Sequence, residues 1–178
     1  MCGITGIFGN LRKDEFDSSI YKMSSELFHR GPDDYGVWID ENNGIAFGHR
    51  RLSILDLSFS GHQPMVSPCG RFTIIFNGEI YNHLQLRDRL NGSANNYSWI
   101  GHSDTETLVY AFSKWGIDKT LKNLVGMFAI AVWDSKSKEL FLIRDRFGEK
   151  PLYYGWSGKA FIFGSELKSL RSYKYFNS

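Results

Sequence analysis

Proline and cysteine are scarce in this chain, with 4 and 2 residues among 178. Two cysteines make no disulfide framework, which excludes small stapled scaffolds and fits a reducing compartment. A surplus of one charge is also missing. The 21 Lys and Arg stand against 19 Asp and Glu, a net charge of +2. The basic residues form no run able to track a phosphate backbone, so no nucleic acid partner is expected. No apolar stretch approaches the roughly 18 residues needed to span a bilayer. The N-terminus has neither the basic flank nor the long apolar core of a secretory signal, so the expected compartment is the cytoplasm and no membrane partner is expected. The histidines and Cys69 show no metal-ligand spacing, and no phosphate loop or dinucleotide fingerprint occurs, so neither a metal nor a cofactor is expected here.

What the chain has in quantity is apolar and aromatic surface, 42% and 16% of residues. That suffices for one well-packed core in a single domain. A strand is expected over residues 2–8. Phe16, Ile20, Met23 and Leu27 recur at helical spacing and predict a helix over 15–28 with one apolar face. Hairpins are expected at 35–39 with 44–49, at 127–133 with 140–143, and at 152–156 with 160–163. A strand over 71–76 runs into Asn77-Gly78-Glu79. Helices are expected over 82–90, 104–115 and 118–124, the second capped by Asp104, and a terminal helix capped by Ser165. Strands at both ends with helices between predict an α+β fold of two sheets covered by helices.

Cys2 is the most informative single residue. An isolated cysteine reads by default as a small buried hydrophobe. Its position changes that reading. Aminopeptidases remove Met1 when the second residue is small, leaving an α-amine and a thiol on one residue. The amine titrates near 7.7–8.0 and the thiol near 8.5, so the amine can act as a built-in general base. Gly3 and Gly6 would let substrate and neighbouring backbone approach closely.

Several motifs follow Met-Cys-Gly-Ile-Thr-Gly-Ile-Phe-Gly in order. They are His29-Arg30-Gly31-Pro32-Asp33, Arg51-Leu52-Ser53-Ile54, Gln63-Pro64-Met65, Asn77-Gly78-Glu79-Ile80-Tyr81-Asn82, Ser103-Asp104-Thr105-Glu106 and Arg144-Asp145-Arg146-Phe147-Gly148-Glu149-Lys150-Pro151-Leu152-Tyr153-Tyr154. Together they resemble the class II glutamine amidotransferase domain that opens glutamine-hydrolysing asparagine synthetases, over essentially the whole chain. The resemblance implies a four-layer αββα sandwich of the N-terminal nucleophile hydrolase type, with two largely antiparallel sheets. It implies a glutaminase domain over 2–170, and a tail over 171–178 leading to an ATP-dependent synthetase domain that these residues do not include.

The same resemblance implies roles. Cys2 would attack the glutamine side-chain carbonyl and form a thioester, with Asn77 and the Gly78 N–H as oxyanion donors. Arg51 would hold the substrate carboxylate, with backbone contacts from Leu52, Ser53, Ile54 and Leu55. Glu79 and Asp104 would hold its ammonium. Blander readings stand beside these: a surface arginine at 51, a type I′ turn at Asn77-Gly78, a solvated charge at Glu79 and a helix cap at Asp104. His29 to Asp33 reads as architecture near the site, and Cys69 as a bystander in a turn. ATP and Mg would belong to the synthetase domain, which in the family amidates aspartate to asparagine. Other acceptors remain open, among them a surface-polysaccharide sugar acid, as do a stand-alone amide hydrolase and a purely partner-binding domain. A homodimer of the full-length protein is a further implication.

Overall fold

A computed structural model describes residues 1–54, 56–92 and 97–176. One sheet has the order β2-β3-β1-β9-β8, built from Asp34–Asp40, Ile45–Arg51, Gly3–Gly9, Ala160–Gly164 and Tyr153–Ser157. The other has the order β4-β5-β6-β7, from Met65–Val66, Phe72–Ile80, Gly126–Asp134 and Glu139–Arg144. Every pairing is antiparallel. Helices α1 (Lys13–Ser25) and α5 (Leu167–Arg171) cover the first sheet. Helices α2 (His83–Asn91), α3 (Asp104–Trp115) and α4 (Ile117–Leu121) cover the second.

The period-2 alternation of each strand assigns its residues to layers. On β6, Phe128, Ile130 and Val132 pack towards α2 and α3, while Ala129, Ala131 and Trp133 fill the space between the sheets. On β3, Ala46 faces α1, and Ile45 and Phe47 meet Ile4, Ile75 and Phe163 between the sheets. Phe16, Ile20 and Met23 of α1 are fully buried against the first sheet. Each such side chain contributes about 1.5–3 kcal/mol. These layers make the expected αββα sandwich.

Several local expectations are corrected. The helix after Leu11 occupies Lys13–Ser25, and Phe28–Arg30 form a separate 3-10 turn. The strand expected to end at Phe76 continues through Asn77-Gly78 to Ile80, because β6 pairs with it along that whole length. Ser103, not Asp104, caps α3, its hydroxyl accepting from the Glu106 N–H at 3.2 Å. Ser165 is not a cap; its hydroxyl accepts from the Ile4 N–H at 3.0 Å and pins β1 to the chain's last helix. Packing continues beyond α5, since Tyr173 is buried against α1's cluster and Phe176 lies on it. Among the described residues, no helix is long and apolar enough to cross a membrane.

Candidate active site

The same alternation directs polar residues to one end of the inter-sheet layer. On β3 the odd positions Ile45 and Phe47 point inwards, and so do His49 and Arg51 after them. On β5 Ile75 points inwards, so Asn77 and Glu79 follow it there. Cys2 precedes β1, whose Gly3 lies opposite Arg50. The three strand ends surround a pocket of about 120 Å³. It is lined by Cys2, Arg51, Leu52, Ile54, Asn77, Gly78, Glu79 and Asp104. Its volume is far below that of pockets for drug-sized ligands, and suits a single amino acid. Ser53 is absent from the lining; its N–H donates to the Asp33 carboxylate at 2.8 Å. Leu55 lies outside the described residues.

Cys2 is held firmly. The Leu52 N–H donates to its Sγ at 3.4 Å, and the thiol reaches the Leu52 carbonyl at 3.7 Å. Arg30 Nε donates to the Cys2 carbonyl at 2.9 Å, and Arg30 Nη1 is tied to Glu166 at 2.9 Å. The His29–Asp33 loop thus fixes the Cys2 backbone. Gly31 is required there, since a Cβ would lie 2.5 Å from the Arg50 carbonyl. Burial pushes the Cys2 thiol above its ordinary pKa, with the Leu52 amide pulling the other way. Such a thiol needs a base to release its proton. Met1 also lines the pocket, and Lys150 Nζ reaches its Sδ at 3.4 Å.

The buried edge of β5 carries the donors. Its even-numbered amides point away from β6, towards the edge that the two-residue β4 covers only at Thr73 and Ile74. The Phe76 N–H donates to Gln63 Oε1 at 2.6 Å, and the Ile80 N–H to Asp104 Oδ2 at 2.9 Å. Gly78 lies between them, so the strand's alternation turns its N–H to the same edge, where Gly78 lines the pocket. Beside it, Asn77 is 1% exposed and its Nδ2 has no hydrogen-bond partner among the described residues. A buried amide donor without an acceptor costs about 1–3 kcal/mol, a cost that an incoming oxygen would relieve.

Charged groups flank these donors. Arg51 is buried, and its guanidinium donates to the Ser58 carbonyl at 2.8 Å and to the Asp56 carbonyl. That leaves further N–H groups of its fork for a carboxylate. Burial raises the Asp104 pKa to about 6, helped by neighbouring Glu79 and opposed by the Ile80 N–H. The Asp56 carboxyl is raised by burial, but hydrogen bonds from Ser58 and the His102 N–H outweigh this and hold it down at about 2. Burial drives His49 down to about 3, so it is neutral, with Nε2 3.2 Å from the Phe76 carbonyl. Gln63, Thr105, Met127 and Lys150 also line the pocket without having been singled out from sequence. Gln63, Thr105 and Lys150 stand in the motifs quoted above, but their side-chain directions are not readable there. Among the described residues, no cluster of three His, Cys, Asp or Glu could hold a metal ion.

The arrangement joins a thiol, two oxyanion-type donors, an arginine fork and two carboxylates in one small pocket. That set can hold a zwitterionic amino acid and perform acyl transfer on its side chain. Comparisons with known proteins agree with this geometry. The chain is 42% identical to glutamine-hydrolyzing asparagine synthetase 2 of Bacillus subtilis over 98% of its length, and covers 23% of that protein. It is 40% identical to asparagine synthetase 3 of the same organism over 96% of its length, and covers 27% of that protein. Among solved structures, the glutamine phosphoribosylpyrophosphate amidotransferase from B. subtilis matches 97% of the chain with TM-score 0.77 at 22% identity, over 43% of its own length. The chain thus shares the fold of that amidotransferase. The glutamine amidotransferase domain family matches residues 1–178 from end to end, and the chain belongs to that family.

Proposed function

We propose that this domain hydrolyses the side-chain amide of glutamine to glutamate and ammonia through Cys2. The α-amine exposed by removal of Met1 takes the thiol proton. Sulfur attacks the carboxamide carbon, and its carbonyl oxygen becomes an oxyanion that accepts from Asn77 Nδ2 and the Gly78 N–H. The amine returns the proton to the leaving nitrogen, ammonia departs and a glutamyl thioester remains. Water then cleaves the thioester to glutamate and regenerates the thiol. Arg51, with the backbone beside Leu52 to Leu55, holds the substrate carboxylate, and Glu79 and Asp104 hold its ammonium. The observation that carries this reading is the buried Asn77 Nδ2, left without an acceptor beside the Cys2 pocket.

The ammonia is proposed to feed a synthetase domain that amidates aspartate to asparagine, as the name asparagine synthetase of the longer relatives suggests; ATP and Mg would be used by that domain. This domain itself requires no metal or cofactor in the scheme. The glutaminase unit is proposed to span residues 2–170, with Tyr173 and Phe176 of the segment that connects to the partner domain still packed on it; the full-length protein is a homodimer, and its compartment is the cytoplasm. Ammonia release from glutamine by protein beginning at Cys2, compared with Cys2→Ala, tests the chemistry. Loss of release in Cys2→Ala is expected, and release at the unaltered rate would exclude the thioester.

A further inference from the structure

Among the described residues, the outer edge of β5 has no strand beside it where the oxyanion donors lie. In a sheet, a neighbouring strand would hold those amides in line. Here β4 is only Met65 and Val66, which pair with Ile74 and Thr73, so it begins short of the position opposite Phe76. The next outward amide, Phe76 N–H, is taken by a side chain instead: Gln63 Oε1 accepts from it at 2.6 Å. The other end of the same carboxamide, Nε2, donates to Thr105 Oγ1 at 3.1 Å. Gln63 is 4% exposed and Thr105 3%. The Gln63 backbone has little freedom, because a Cβ on Gly36 of β2 would lie 2.1 Å from its carbonyl oxygen.

We infer that Gln63 is a positioning residue for the oxyanion hole: its carboxamide replaces a missing strand partner and locks β5 at Phe76 to the start of α3 at Thr105. The inference rests on the glutaminase reading of this pocket. Two fixed points then bracket the Gly78 N–H, Gln63 at Phe76 and Asp104 at Ile80. The amide between them is left for substrate, and Asn77 is carried on the same rigid segment. Gln63 lines the pocket, but both ends of its carboxamide are taken by Phe76 and Thr105, so its effect falls on the aim of the donors. This predicts a selective loss in the transition state, where donor position matters most.

Steady-state glutaminase kinetics on protein beginning at Cys2 test this. Gln63→Leu should lower kcat at least tenfold and leave KM for glutamine within about threefold. Thr105→Val removes the far anchor and should lower kcat in the same direction, while Thr105→Ser restores it. The double variant Gln63→Leu/Thr105→Val should be no slower than Gln63→Leu, since both cut one bridge. Should Gln63→Leu not fold, the Thr105 pair carries the same test. Unchanged kcat in the folded variants, or a rise in KM that accounts for the whole loss, would overturn the inference. Amide hydrogen exchange separates it from the reading it rests on. Gln63→Leu should speed exchange at Phe76 while β1 stays protected, whether or not the wild type releases ammonia. Wild-type protein without activity refutes the glutaminase reading, and unaltered exchange at Phe76 refutes the role of Gln63.

Discussion

Replacing Asp104 with Asn should stabilise the folded protein at neutral pH while weakening glutamine binding. The argument begins with burial. Asp104 is 6% exposed, and its pKa rises from 3.8 to about 6, chiefly through desolvation and then through Glu79. Between those two values the native protein holds a proton that the unfolded chain has released. Stability therefore falls as pH rises from about 4 to about 6, and the loss persists above it. Each pH unit of the gap is worth about 1.4 kcal/mol, so the carboxylate costs about 3 kcal/mol at pH 7. Asparagine keeps an oxygen for the Ile80 N–H and carries no charge. Urea denaturation of both proteins at pH 4 and pH 7 checks this. The two should be nearly equal at pH 4, and Asp104→Asn should be more stable at pH 7 by up to about 3 kcal/mol. A variant that is no more stable than wild type at pH 7 would refute the reasoning. For the wild type, KM for glutamine should rise as pH drops below about 6, because protonation removes one of the two charges offered to the substrate ammonium.

Three other substitutions probe the pocket. Asn77→Ala should reduce kcat by about 10²–10³ with little change in KM. Its stability should change by less than about 1 kcal/mol, because Nδ2 has no partner to lose; thermal melts and kinetics read both. Arg51→Lys cannot reproduce bonds to the Ser58 and Asp56 carbonyls together with a fork on a carboxylate. KM for glutamine should increase at least tenfold, measured at saturating and subsaturating substrate. Gly78→Ala would put a Cβ 2.1 Å from the Met127 carbonyl oxygen and 2.7 Å from Phe128 Cα. Strand pairing there should give way, with a loss of about 3 kcal/mol in chemical denaturation and no detectable activity.

Much of the fold was legible because its segments carry clean periods. The α3 helix and the three hairpins appear where Leu108 and Phe112, and the alternating strands, put them. Asn77-Gly78 was harder. The dipeptide favours a turn locally, and pairing of Asn77 with Ala129 and of Gly78 with Phe128 keeps it in strand. Register is a property of the partner strand, and local sequence does not encode it. The pocket residues were legible through the order of motifs, not through any pattern that brings positions 2, 51, 77 and 104 together. Strand parity explains that convergence once the sheets are known. The role of Gln63 was not legible, because it depends on where β4 begins relative to Phe76. Asp104 looked like a cap because it opens α3, yet Ser103 supplies the cap and frees the Asp104 carboxylate for β5 and the pocket.

The central claim is that the α-amine and thiol of Cys2 work together. Met1 lines the pocket and its sulfur meets Lys150 Nζ, so an unprocessed chain both blocks the site and ties up the amine in a peptide bond. The most direct measurement is glutaminase activity on two preparations verified by intact mass, one beginning at Cys2 and one retaining Met1. Ammonia release from the processed form alone is predicted, and equal rates from both would contradict the account.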